Sequence, residues 1–172
     1  MSGTTAIAAA AECALTLEQF RSIEAFVFME ARLQDEHRYE DWESLWTDDG
    51  LYWVPAGDAD IDPDNHVSFI YDNRVRIASR VKQLKSGNRH AQKPPSRLNR
   101  VVSNIEARVE NEAIHVSATF LLTEARHGQV NLWSGRTQYT LRPETDGSFR
   151  MALKKVMLVD NHLPVPTLAF LI

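Results

Sequence analysis

The chain has 172 residues, 44% of them apolar and 24% charged, a composition that supports one globular core and excludes a disordered chain. Its single cysteine, Cys13, excludes a disulfide framework within the chain and points to a reducing cytoplasm. The net charge of −4 is unevenly spread: residues 34–64 hold eleven carboxylates and one arginine, Arg38, whereas residues 73–105 hold nine Lys or Arg and no acid. Two solvated faces of opposite sign, touching each other, account for this pattern. A nucleic-acid surface does not, because the basic stretch lacks interleaved aromatics and the whole chain is acidic.

The N-terminal "MSGTTAIAAAAEC" has no basic residue before Arg21, so it lacks the charged start of a signal peptide, and its run of small residues is far too short to span a membrane. Residues 1–16 read as a mobile tail and residues 17–172 as a single domain. Thr16 and Gln19 form a capping box, and Phe20, Ile23, Val27 and Ala31 recur at helical spacing behind it. A helix is expected from about Leu17 to Gln34. The stretch "YEDWESLWTDDGLYWVP" then holds three tryptophans, two tyrosines and five carboxylates. Tyr39, Trp42 and Trp46 share one side of a short second helix that Gly50 can end, and Leu51 to Pro55 reads as a strand.

"DADIDPD" alternates aspartates as a calcium loop does, but Pro63 and Phe69 stand where that loop needs Gly and Glu. It reads instead as an acidic surface loop. A third helix is expected over about His66 to Ser86, with Val67, Ile70, Ile77, Val81 and Leu84 as its apolar stripe and Gly87 as its stop. Arg74 falls in that stripe and needs an acidic partner, for which Asp48 or Asp49 is the expectation. "HAQKPPSR" breaks the helix. The remainder alternates as long strands, with turns at Asn111-Glu112, Gly128 and "PETDG". Gly135 suggests a bulge or bend, and a phase slip at Lys154-Lys155 suggests a β-bulge. The fold class is therefore α+β: a cystatin-like cone with about three N-terminal helices packed on a strongly curved, largely antiparallel sheet.

A cone of this kind can enclose a pocket. One Asp base with a Tyr or His donor suffices for an isomerase or dehydratase, and Asp48, Asp49, Tyr52 and His115 are the candidates. Against this, the aspartates suit capping and turn roles, and Tyr52, Trp42, Trp46 and Trp53 suit packing. A small apolar ligand-binding module is a further alternative. The six histidines show no short metal-ligand spacing, one cysteine cannot build a Cys₂His₂ iron–sulfur site, and no phosphate-cradling loop is present.

The blocks "FVFMEARLQDEHRYEDWESLWTDDGLYWVP", "IYDNRVRIASRVKQL", "PPSRLNRVVSNI", "GRTQYTLRPETDGSFRMALKKVMLVDN" and "LAFLI", in this order and spacing, resemble the small (beta) subunits of Rieske-type aromatic-ring-hydroxylating dioxygenases. The resemblance runs from Leu17 to the last residue. Arg100 departs from it, standing where many relatives carry a histidine. The resemblance implies a non-catalytic structural subunit in an assembly of three alpha and three beta chains, built around a trimer of this one. The Rieske [2Fe-2S] cluster and mononuclear Fe(II) would lie in the alpha subunit, with electrons from NADH or NADPH through a reductase. No cofactor, metal, nucleic acid or membrane is expected on this chain. Trp42, Trp46, Trp53, Arg74, Asp48, Asp49 and Phe170 are then structural or interface candidates, and the apolar Leu168–Ile172 run should be buried in the sheet or at an interface.

Overall fold

The computed structural model describes residues 15–57, 62–86, 94–166 and 168–172. Most of the expected tail, the first half of "DADIDPD" and Gly87 lie outside the described residues.

Thr16 opens helix α1 (Leu17–Asp35) with the expected capping box. Its hydroxyl accepts from Gln19 N at 3.2 Å, and the Gln19 side chain accepts from Thr16 N at 2.8 Å. Such a cap contributes about 1 kcal/mol. The buried face of α1 carries Ile23, Phe26, Val27, Ala31 and Leu33, together with two polar residues, Glu30 and Gln34.

Helix α2 (Tyr39–Ser44) is shorter than its aromatic spacing suggests. Trp46 and Gly50 belong to strand β1 (Trp46–Pro55) and not to the helix. Leu45 O accepts from Met151 N at 2.7 Å, and the Thr47 hydroxyl donates to Met151 O at 3.2 Å. Pairing with a distant strand thus overrides the local helical pattern. Gly50 is required for a different reason from helix termination. A Cβ there would stand 2.7 Å from Trp46 Cε3 and 3.1 Å from Thr47 O.

The long third helix also resolves differently. Ser68–Asn73 forms strand β2, and only Arg74–Lys85 forms helix α3. The Asn73 side chain accepts from Arg76 N at 3.1 Å and so sets the start of the helix. Phe69, Ile70 and Tyr71 are aromatic or β-branched, which suits a strand. The spacing of Val67 and Ile70 with Ile77 was a coincidence of period: Val67 is exposed, and Ile70 enters the core from β2.

Strands β3 (Arg97–Glu110), β4 (Ala113–Arg126), β5 (Gln129–Pro143) and β6 (Phe149–Leu158) complete one six-stranded sheet of order β2-β1-β6-β5-β4-β3. Among the described strands only the β1–β6 pair is parallel. Asn111 and Glu112 both take positive φ in the first hairpin turn, and His127 and Gly128 do so in the second. These are the conformations that match the twist of paired strands.

Pairing of β4 with β5 runs unbroken through Gly135 opposite Phe120, so there is no bulge at this glycine. A Cβ at Gly135 would stand 2.3 Å from Met157 O on the next strand, and this close approach is what excludes a side chain. The slip in β6 is real but lies earlier than Lys154-Lys155. Thr140 faces Leu153 while Leu141 faces Met151, leaving Ala152 as the extra residue. Met151 points inward before the slip, and Lys154, Val156 and Leu158 point inward after it. A second bulge lies between Ser103 and Glu106 on β3, where Asn104 has φ 50°.

One face of the sheet holds Ile114, Val116, Ala118, Phe120 and Leu122 of β4 and Trp133, Tyr139 and Leu141 of β5, packed with residues of all three helices into a single core. Across the sheet, Val101, Leu121, Val130 and Leu132 are exposed.

Candidate functional site

The interior of the core contains an ion pair that sequence reasoning missed. Glu30 of α1 and Lys154 of β6 lie 2.7 Å apart, with both side chains 1% exposed. Glu30 Oε1 also accepts from Gln34 Nε2 at 2.8 Å and from Trp42 Nε1 at 2.6 Å, and Oε2 accepts from the Tyr139 hydroxyl at 3.2 Å. Four donors from four elements thus surround one carboxylate. Burial pulls the Lys154 ammonium down to about 8, against the attraction of Glu30. Burial first, and Glu30 beside it, push the Tyr139 phenol up.

Next to this pair the chain's own last residues close the core. Phe170, Leu171 and Ile172 are buried. The Tyr52 hydroxyl donates to Ile172 O at 2.6 Å and accepts from Ile172 N at 3.0 Å. Arg100 Nη2 donates to Leu171 O at 2.9 Å, while its Nε stands 2.9 Å from Asp35 Oδ1. Phe170 meets Trp133 edge to face at 5.6 Å. The remaining void, lined by Glu30, Arg100, Phe120, Tyr139, Lys154 and Ile172 among others, is about 10 Å³. That is room for at most one water and no organic substrate.

A second buried carboxylate, Glu124 on β4, accepts from the Ser96 hydroxyl at 2.6 Å and from Trp133 Nε1 at 3.1 Å. Ser96 O lies 2.9 Å from His37 Nε2, and a carbonyl can only accept, so Nε2 carries the proton. His37 Nδ1 then accepts from the Tyr39 hydroxyl at 2.8 Å. This chain of bonds ties the α1–α2 corner to the sheet.

The acid–base candidates Asp48, Asp49, Tyr52 and His115 do not converge on one another. Asp48 and Asp49 are exposed at the start of β1. Asp49 takes a two-pronged bond from Arg142, at 2.8 and 2.7 Å, which holds its carboxyl down to about 2. Arg74 does not reach either aspartate; it pairs with Glu43 at 2.9 Å. The cause is the shorter α3, which places Arg74 at the first helical residue, beside α2. Tyr52 is fully buried on the terminal segment, and His115 faces Thr140 Oγ1 at 3.4 Å. Trp42, Trp46 and Tyr52 form a packed trio with ring centroids 5.4 to 6.0 Å apart. Trp53 lies apart from them, stacked edge-on to Tyr71 with Lys155 Nζ 4.0 Å above its ring.

The groove between α1 and the β5–β6 turn, about 470 Å³, is lined by Phe26, Met29, Leu45 and Phe149 with Arg150 as its one charged group. Among the described residues, no three His, Cys, Asp or Glu side chains are grouped to hold a metal ion. No helix of the described residues is long and apolar enough to cross a membrane.

The family model of the ring hydroxylating beta subunit matches residues 29–165. The chain belongs to this family. It is 34% identical over 139 residues to the small oxygenase component of the p-cumate 2,3-dioxygenase system of Pseudomonas putida, covering 79% of this chain and 77% of that one. It is 30% identical over 148 residues to the 2-halobenzoate 1,2-dioxygenase small subunit of Burkholderia cepacia, covering 83% and 89%. The beta subunit of benzoate 1,2-dioxygenase from Burkholderia mallei shares its fold, with a TM-score of 0.72 at 23% identity over 88% of this chain and 96% of that one. An NTF2-like protein with a cystatin-like fold from Novosphingobium aromaticivorans superposes at a TM-score of 0.57 and 17% identity over 84% of each chain. The α+β cystatin-like architecture is therefore that of the beta subunits, and this chain is the small subunit of a ring-hydroxylating dioxygenase.

Proposed function

We propose that this beta subunit is a non-catalytic scaffold, trimeric within a hexamer of three alpha and three beta chains that dihydroxylates an arene in the cytoplasm. The alpha subunit would hold the Rieske cluster and the mononuclear iron, with electrons arriving from NADH or NADPH through a reductase. The observation that carries the reading is the family match together with an interior already filled by the chain itself. Among the described residues, the Glu30, Lys154 and Tyr139 cluster is saturated with internal bonds, and the void beside it has no room for a substrate. The exposed Val101, Leu121, Val130 and Leu132 are the kind of apolar area that subunit contacts cover.

The relatives named for p-cumate and 2-halobenzoate act on aromatic acids, so substituted benzoates head the substrate panel. Coexpression with a candidate alpha chain, followed by purification through a tag on this chain, tests the proposal. The expected product is a red-brown hexamer that consumes oxygen with one of these arenes. A colourless chain that stays monomeric at micromolar concentration and never retains the alpha subunit would overturn it.

A further inference from the structure

Five exposed apolar side chains stand together on the outer face of the sheet, the face turned away from the core. Cross-strand register sets them side by side. Val101 of β3 pairs with Leu121 of β4, Leu121 pairs with Ser134 of β5, and Ser134 O accepts from Val159 N just past β6. The next row on the same face runs Asn99, Thr123, Leu132, and the one beyond it Arg97, Ala125, Val130. Val101, Leu121, Val130, Leu132 and Val159 are 47% to 71% exposed. Together they leave on the order of 500 Å² of apolar area in water, the scale that marks a contact site and more than half of the about 800 Å² per partner that a stable contact buries.

The two ends of this patch carry opposite charge. Arg97 stands at its β3 corner, and Asp160 follows Val159 at the diagonally opposite corner. Both are exposed, and among the described residues neither side chain makes an ion pair or a hydrogen bond. A second copy of this chain is the partner whose face supplies both the apolar area and the two missing counter-charges. A ring of three closes through heterologous contacts, which join two unlike halves of each chain, and the Arg97 and Asp160 ends are two such halves.

We propose that copies of this chain meet through this face: the Arg97 end of one patch packs against the Asp160 end of the next, burying Val130 and Leu132 against Val159 and setting the guanidinium on the neighbouring carboxylate. The inference rests on the trimeric reading above and names the surface that builds the trimer.

The test follows the full chain by sedimentation velocity across micromolar concentrations. Leu132→Glu and Val130→Lys each put a charge into the patch at an exposed position, so the fold should survive, as far-UV circular dichroism checks. The native chain should sediment as a trimer and both variants as monomers. Arg97→Glu and Asp160→Arg, which each oppose like charges, should weaken association about tenfold at low salt, and the double reversal should restore most of it. Native trimers that persist in both folded patch variants overturn the inference and leave the trimeric reading standing. A double reversal no better than the single ones overturns the pairing of the two ends. Patch variants that stay trimeric but no longer retain a coexpressed alpha chain assign the face to that partner and overturn the inference as well. A native chain that is monomeric throughout overturns the reading and the inference together.

Discussion

Lys154 Nζ lies 2.7 Å from Glu30 Oε1 in a setting where both side chains are cut off from solvent. Desolvating two charges costs more than their attraction returns unless other hydrogen bonds complete the shell. Here Gln34, Trp42 and Tyr139 complete it on the carboxylate. Removing the cation alone leaves an unpaired buried anion, so Lys154→Met should destabilise the chain by about 3–5 kcal/mol. Adding Glu30→Gln, which is neutral and still accepts from Trp42, should recover much of that. Urea denaturation at one fixed protein concentration measures both. A loss below about 1 kcal/mol for the single variant would contradict a closed, dry pair.

The same cluster sets two opposite pH trends. The Lys154 ammonium titrates at about 8 in the folded chain against an ordinary 10.5, so between those values the unfolded chain binds more protons and stability rises with pH. This rise should vanish in the Lys154→Met, Glu30→Gln double variant.

Tyr52 and Tyr139 act in the other direction. Burial raises both phenols above 10, so their contribution is whole below pH 10 and is lost as pH climbs further. Urea midpoints should fall above pH 10 for the native chain, and less steeply for Tyr52→Phe or Tyr139→Phe. Equal slopes in all three would count against buried, protonated phenols.

On the surface, Arg142 holds the Asp49 carboxyl at about 2 through two hydrogen bonds. That contribution is present above pH 4 and fades as pH falls toward 2. The pair is half-exposed and therefore screened. Asp49→Asn should flatten the acid limb of the stability curve slightly at low salt and not at all in 1 M NaCl. A difference that persists at high salt would contradict a screened pair.

Gly135 carries a steric prediction. With Met157 O only 2.3 Å from the site of a Cβ, Gly135→Ala must push β5 from β6 and should cost about 1–3 kcal/mol in urea denaturation. A neutral effect would mean that the two strands are farther apart than described.

Much of this was legible in the sequence because the signals were local. The Thr16–Gln19 box placed α1, the alternation of Ile114, Val116, Ala118, Phe120 and Leu122 placed β4, and the Asn111-Glu112 and Gly128 turns placed the hairpins. What failed depended on distant partners. Trp46 leaves the helix because β6 pairs with the chain at Leu45 and Thr47, and no local pattern shows that. Lys154 was hidden by a misplaced slip, since putting the bulge at Lys154-Lys155 instead of at Ala152 leaves Leu153 inward and Lys154 without a site. Glu30 did carry a signal. It falls on the stripe of Ile23, Val27 and Gln34 at helical spacing, where a carboxylate demands a buried partner. The family resemblance needed none of these details, because it rests on the order of whole blocks.

The central claim is that this chain builds the enzyme without taking part in its chemistry. The most direct measurement is arene-dependent oxygen uptake per alpha chain by the complex copurified with the Asp49→Asn, His115→Ala double variant, which changes two candidate acid–base groups and leaves the buried core untouched. The account predicts turnover within about twofold of the native complex at equal content of assembled complex, since surface changes of this kind rarely disturb a fold. An intact complex with turnover lost by a hundredfold or more, the scale on which a general acid or base acts, would contradict it.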